Sequence, residues 1–286
     1  MIKKGMMHAA SQWVGAMDGK MTNDLSMNPV YFKGFHMSVD TTQSRQPHAV
    51  LDLPSRAKKA LKIERLLDLH TRYAESGSAI RILDVGTGSG GIAHYFATHS
   101  TLKCQVDAVD TVDNRKLRDG FSFQRVNGTR LPFQDGSFDV VISNHVIEHV
   151  GKMPEQKQHL TELKRVLRHD GMIYLAVPNR WMLIEPHYRV AFLSWLPSAW
   201  RTPYLRWRGK GNHYDCEPLT LRQLENFVKN TGLEMHNASI LATRLFFEIE
   251  KPRSMAGTLL PQCPDAFLAL LRPFIPSLIC LLTKAG

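Results

Sequence analysis

The residues able to do chemistry begin with glycines set behind an acid. Ile82-Leu83-Asp84-Val85-Gly86-Thr87-Gly88-Ser89-Gly90-Gly91 leads apolar residues into a glycine-rich loop, and helical periodicity follows. Glycine lets the backbone turn sharply and lets a ligand come close to main-chain amides. Two readings compete. Gly86, Gly88 and Gly91 form GxGxxG, the spacing that holds a dinucleotide pyrophosphate at a helix N-terminus. Asp84, Gly86, Gly88 and Gly90 instead form DxGxGxG. A carboxylate ahead of the loop opposes a pyrophosphate and suits a ligand carrying an amine and a sulfonium, which moves the weight away from NAD. Asp110 closes the next apolar run, 20 residues after Gly90. A carboxylate there can accept hydrogen bonds from ribose hydroxyls of either ligand. Asn127 follows a third such run, where an amide can read an adenine edge.

Candidate proton acceptors lie further along. His145, Glu148 and His149 form HxxEH. Ile184-Glu185-Pro186-His187-Tyr188 and Asn212-His213-Tyr214-Asp215 each join an imidazole, a phenol and a carboxylate. His187 is the first choice for a general base and His213 the second, with a hydrogen-bonding role as the alternative for both. The four cysteines, Cys104, Cys216, Cys263 and Cys280, form no CxxC pair. A zinc site built on them is not expected, and a reduced cytosolic setting is.

These groups need elements to position them. Strand patterns run over 81–85, 104–110, 123–126, 140–144 and 172–177, and helical ones over 91–99, 154–167 and 219–231. The alternation indicates crossover units on a mainly parallel, doubly wound α/β sheet. Such sheets bind ligands at the carboxyl ends of their strands. Before the first strand, 55–70 reads as an amphipathic helix with a basic face, taken as a solvated helix packed on the sheet. Residues 1–54 read as an N-terminal arm, and 55–286 as the main domain. Segment 180–217 interrupts the alternation with Trp181, Trp195, Trp200 and Trp207, several prolines and a string of arginines. It reads as a helical cap over the carboxyl edge, with tryptophans inside and arginines towards an acidic acceptor or membrane.

The sequence resembles the class I S-adenosylmethionine-dependent methyltransferases, nearest to the ubiquinone and menaquinone biosynthetic type. The matching residues are DVGTGSGG, Asp110, the block NGTRLPFQDGSFDVVISNHVIEHV and the later LKRVLRHDGMIYLAVPN. The resemblance runs over about 79–179 and resumes in LTLRQLENFVKNTGLEM. It implies a Rossmann-like seven-stranded sheet with an antiparallel last strand, near 279–283, after a sixth strand around 233–240. It implies that Asp84 and the backbone of Gly86, Gly88 and Gly90 cradle the methionine part of S-adenosylmethionine. Asp110 would hold the ribose, Thr111 would lie beside the adenine, and Asn127 and Gly128 would line its pocket. The family usually has Asp where this chain has Asn127; the amide oxygen can still pair with the exocyclic amine. Asn144 and His145 would face the methionine and the reaction centre. Some relatives carry ExxEH after the fourth strand and bind magnesium. His145 replaces the first acid here, and magnesium prefers oxygen ligands, which weakens a magnesium reading and leaves a softer divalent ion conceivable; no metal is the expectation. His149 is then a base or hydrogen-bonding residue at the pocket floor.

The implied function is O-methylation of a small-molecule hydroxyl of prenylated, aromatic or glycan type, by in-line methyl transfer. The alternatives are an RNA or protein methyltransferase and a cofactor-binding protein without methylation. The formal charge of +10 (36 Lys and Arg against 26 Asp and Glu) favours acidic partners or an anionic membrane surface. No RNA-binding module is recognisable, which disfavours nucleic acid. No run is apolar enough to cross a bilayer, and the N-terminus lacks the apolar stretch of a signal peptide. The expected setting is cytoplasmic, with peripheral membrane contact.

Overall fold

The structure, a computed structural model, describes residues 52–73 and 77–286. The arm expected over 1–54 lies outside them except for its last three residues. These open helix α1 (Leu53–Leu67), which Asp52 caps by accepting from Ser55 N. Asp68, in the left-handed region, ends it.

The alternation read from the sequence then unfolds in order. Strand β1 (Ile80–Val85) leads to α2 (Gly91–Thr98), β2 (Cys104–Asp110), β3 (Ser122–Arg125) and β4 (Phe138–Asn144). Helix α3 (Met153–Val166) runs directly into β5 (Leu167–Pro178). The cap follows, with the short hairpin β6 (Ile184–Glu185) and β7 (Val190–Ala191) and helix α4 (Ser198–Trp207). Helix α5 (Leu221–Asn230) opens with a capping box between Thr220 and Gln223 and precedes β8 (Leu233–Asn237). Helix α6 (Ser239–Leu245) and further short helices separate β8 from β9 (Ser277–Lys284).

The seven long strands form one sheet in the order β3-β2-β1-β4-β5-β9-β8. Strand β9 runs antiparallel to both its neighbours; the other pairings are parallel. Side chains alternate between the two faces. Leu83, Val141 and Ile173 meet Leu160 and Leu163 of α3 on one face. Ile82, Val140 and Ile142 meet Ile63 of α1 and Phe96 of α2 on the other. Each such side chain, fully buried, contributes about 1.5–3 kcal/mol. The carboxyl ends of β1, β2, β3 and β4 therefore share one edge, and the order reverses between β1 and β4, where the candidate residues cluster.

Three expectations change. The sixth strand stops at Asn237, because Asn237 Oδ1 accepts from Ser239 N and turns the chain into α6. The basic face of α1 is solvated only in part, with Lys58 exposed. Lys62 is buried and pairs with Glu250 at 2.6 Å, and Arg65 pairs with Glu248 at 2.7 Å. The segment after α6 supplies those carboxylates, a partnership that helical periodicity does not reveal. In the cap, Trp181, Trp200 and Trp207 are exposed (43%, 68% and 76%), while Arg201 is buried against Glu217 at 3.0 Å. The cap core is instead Val190, Leu193, Leu205, Tyr214 and Cys216.

Candidate functional site

The glycine loop is shaped by left-handed backbone at Gly86, Gly88 and Gly90, with φ of 71°, 56° and 79°. A side chain there would be strained, and a Cβ on Gly86 would lie 2.5 Å from Val146 Cγ2. The amides of Gly86 and Thr87 bond Val109 O at 2.8 and 3.2 Å, pinning the loop to the end of β2.

Asp110 ties the two strand ends together. Its Oδ2 accepts from Gly88 N at 2.8 Å, and its Oδ1 accepts from Thr111 N at 2.7 Å. It is half-buried, and each carboxylate oxygen keeps a lone pair for a further donor. Thr111 and Gly128 are exposed beyond the strand ends, and Asn127 borders a cleft of about 290 Å³ lined also by Val126, Arg130, Leu131 and Pro132. The sides are apolar, with an amide at the rim.

Asp84 lies at the end of β1, directly beneath the loop. It is 1% exposed, and its Oδ2 accepts from Thr87 Oγ1 at 2.7 Å. Burial pushes its carboxyl up to about 7, against the Thr87 hydrogen bond and the Arg56 charge. A carboxyl so placed braces the loop from inside through Thr87.

Asn144, half-buried, ends β4. His145 follows with φ of 59°, a left-handed conformation that costs a non-glycine residue energy and recurs at functional sites. Contacts on both sides hold it: Nδ1 lies 3.2 Å from Glu148 Oε1, and Nε2 lies 3.2 Å from Ser277 Oγ at the start of β9. Glu148 is fully buried, and burial would raise its carboxyl. The hydrogen bond from His145 and the charges of His145 and His149 outweigh that and hold it below its ordinary value.

The three candidate bases separate into two groups. His149 and His187 stand edge to face, ring centroids 5.5 Å apart. His213 is exposed, and its carbonyl, accepting from Tyr188 Oη at 3.0 Å, is what joins the cap. Cys216 stands with the first two: one ligand-type atom from each of His149, His187 and Cys216 lies within 4.8 Å of the others. Burial pushes the Cys216 thiol up, helped by Asp215, Glu185 and Glu148.

Further residues position these groups. The Arg165 guanidinium donates to Leu131 O, Phe133 O, Asp135 and Glu162 at 2.7–2.9 Å, clamping the loop beside the cleft. Asn179, buried at the cap's entry, donates to Pro273 O and Ile275 O and accepts from Trp181 N. Both stand in the later resemblance block, LKRVLRHDGMIYLAVPN, which is the one signal that could have marked them.

The edge geometry and the strand order define a Rossmann-like methyltransferase fold. Residues 83–175 match the family model described as a methyltransferase domain. The chain is 32% identical over 140 residues to the ubiquinone/menaquinone biosynthesis C-methyltransferase UbiE of Geotalea uraniireducens, covering 44% of this chain and 57% of that one. It is 28% identical over 144 residues to the chloroplastic tocopherol O-methyltransferase of Arabidopsis thaliana, covering 45% and 40%. It thus spans about half the length of these curated relatives. Among solved structures, the plantazolicin methyltransferase BpumL, in complex with a monoazolic desmethylPZN analog and SAH, shares the fold. Its TM-score is 0.53 and its identity 17%, over 86% of this chain and 91% of that one. Residues 83–175 thus match a methyltransferase domain, and this part of the chain resembles class I S-adenosylmethionine-dependent methyltransferases of the UbiE type. No helix among the described residues is long and apolar enough to cross a membrane.

Proposed function

We propose that the protein transfers a methyl group from S-adenosylmethionine to a hydroxyl of a small prenylated, aromatic or glycan-type acceptor. The observation that carries this is the convergence at one sheet edge of the left-handed glycine loop, the Asp110 carboxylate bonded to Gly88 N, and the His149–His187 pair beyond β4. The donor set fits the cofactor. Asp110 offers lone pairs to ribose hydroxyls, Asn127 offers an amide to the adenine edge beside Thr111 and Gly128, and the main chain of Gly86, Gly88 and Gly90 meets the methionine end near Asn144 and His145. When bound, S-adenosylmethionine supplies a methyl already activated on a sulfonium, so the protein's task is to orient, to exclude water and to manage the acceptor's proton. His187 and His149, edge to face at 5.5 Å, are the pair assigned to that proton when no ion is bound.

The acceptor class draws on the relatives, whose names place them in quinone and tocopherol synthesis. The cap suits a prenylated molecule: Trp181, Leu183, Ile184 and Phe192 are exposed beside Trp195. With Arg180, Arg189, Arg206 and Arg208 nearby in the chain, the same surface would meet an anionic membrane from the cytoplasmic side. Calorimetry with S-adenosylhomocysteine and NADH, followed by methyl transfer from labelled S-adenosylmethionine to prenylated phenols, simple phenols and glycans, tests the reading. Uptake of S-adenosylhomocysteine and labelling of a phenol are expected. No uptake would overturn the cofactor assignment, and labelling of RNA or protein alone would overturn the acceptor.

A further inference from the structure

We infer that His149, His187 and Cys216 form a binding site for a borderline-soft divalent cation, zinc foremost. Three segments distant in sequence deliver one ligand atom each, and these atoms lie within 4.8 Å of one another. Zinc takes imidazole nitrogen at about 2.0–2.1 Å and thiolate sulfur at about 2.3 Å, so tetrahedral ligands sit roughly 3.3–3.6 Å apart. Cys216 Sγ and His149 Nδ1 are already 3.9 Å apart. Closing that pair on an ion asks for a few tenths of an ångström, and no pair in the set, all within 4.8 Å, has to close by more than about 1.5 Å.

The surrounding bonds hold the ligands in register. Glu217 N donates to Glu148 O at 2.9 Å, which sets Cys216 beside His149. Tyr188 Oη donates to Asp215 Oδ1 at 3.1 Å and His213 O at 3.0 Å, which sets His187 beside Cys216. Arg201, buried, holds Glu217 at 3.0 Å and fixes the returning strand of the cap. Behind His149, the buried Glu148 places Oε1 3.9 Å from Nε2, the ring nitrogen opposite the one facing the thiol. That oxygen already bonds His145 Nδ1 at 3.2 Å, so at 3.9 Å it adds negative charge behind the His149 ring without a hydrogen bond to it. One thiolate and two imidazoles select zinc over magnesium.

Three protein ligands leave a fourth position open, the pattern of zinc sites that meet a substrate, whereas structural sites close all four. The acceptor's oxygen would take that position, and with the ion bound the two imidazoles are ligands, not free bases. This last point rests on the methyl-transfer reading; binding of the ion does not.

The test uses the full chain, free of any histidine tag and purified without chelator. Elemental analysis after dialysis against micromolar free zinc should find one zinc per chain. Cobalt(II) in its place should give intense tetrahedral visible bands and a thiolate-to-metal charge-transfer band. Cys216→Ser should abolish that charge-transfer band. His149→Ala, His187→Ala and Cys216→Ser should each weaken zinc binding at least about tenfold, and Cys263→Ser should not. Where a variant fails to fold, the cobalt spectrum of the unaltered protein decides. Metal content well below one per chain, an octahedral cobalt spectrum without thiolate character, or zinc retained in folded Cys216→Ser and His187→Ala would overturn the site. S-adenosylhomocysteine calorimetry on the metal-free protein separates this from the cofactor: uptake there with no zinc sinks the metal alone.

Discussion

Gly86→Ala probes the closest approach in the loop. The new Cβ would lie 2.5 Å from Val146 Cγ2 and 3.4 Å from Cγ1. Carbon atoms rest at about 3.5–4.0 Å, so Val146 must retreat by about 1 Å. Val146 is half-buried against the core and directly precedes the short helix that carries His149, so it has little room. Overpacking of this kind costs about 1–3 kcal/mol. The φ of 71° adds about 1–2 kcal/mol for an L side chain in the left-handed region. The sum is about 2–5 kcal/mol. The two parts separate in a double-mutant cycle, because Val146→Ala removes both γ carbons but leaves φ unchanged. Urea unfolding of the parent, both single variants and the double variant should show a coupling that returns about 1–3 kcal/mol, with the left-handed cost remaining. S-adenosylhomocysteine affinity of Gly86→Ala should fall at least about tenfold, a loss of about 1.4 kcal/mol, and recover partly in the double variant. A Gly86→Ala protein within about 0.5 kcal/mol of the parent, or a strictly additive cycle, would refute the steric argument.

Three other outcomes follow from the geometry. His159 is buried with Nε2 3.0 Å from Ser143 Oγ, and burial lowers its pKa to about 4. The unfolded chain takes up that proton below about 6.5 while the folded one does not, so stability falls as pH drops from 6.5 towards 4. The contribution is about 3 kcal/mol at the lower end, and unfolding curves of His159→Gln should be flatter by that amount over this window. Asn179→Ala leaves two carbonyls and one amide without their side-chain partner at the base of the cap; a loss of about 2–4 kcal/mol in urea unfolding is expected, and a loss under 1 kcal/mol would contradict the role. Arg165→Lys keeps a charge but cannot span its four partners; proteolysis should open the 130–135 loop first, and S-adenosylhomocysteine affinity should weaken while the melting temperature moves by only a few degrees.

What the sequence shows of the fold is what local physics writes into it. Strands β1 and β4 are buried almost throughout because both of their faces are covered, whereas β2 mixes Val106, Ala108 and Val109 with polar residues. The glycine loop stands out because left-handed turns leave few alternatives to glycine. The capping box at Thr220 marks the start of α5 by its own side chains. Segments ruled by distant partners are opaque. Lys62 is buried where Glu250 meets it, and the helices after Asn237 are too short to show a clean periodicity, although Ala242 of α6 packs into the cluster on one sheet face. The cap misled for a similar reason: large aromatic residues are interior on average, yet here Tyr214 and aliphatic side chains fill its centre while Trp181, Trp200 and Trp207 stand outside.

The site shows the same division between residue type and residue role. An acid ahead of the glycines is visible in the chain, and the argument that it opposes a pyrophosphate led to the methyltransferase family. In the structure that carboxyl faces Thr87 inside the loop and is raised to about 7 by burial. Its hydrogen bond to Thr87 makes the same carboxyl a brace for the turn, a role that spacing alone does not announce. Asp110, half-exposed and bonded to the loop amide, is the carboxylate placed for a ligand. The converse holds for Cys216. It is 67 residues from His149 and forms no motif, so spacing alone gives it no meaning. Only the fold, by returning the cap beside the turn after β4, converts a lone cysteine and two histidines from separate motifs into one coordination set.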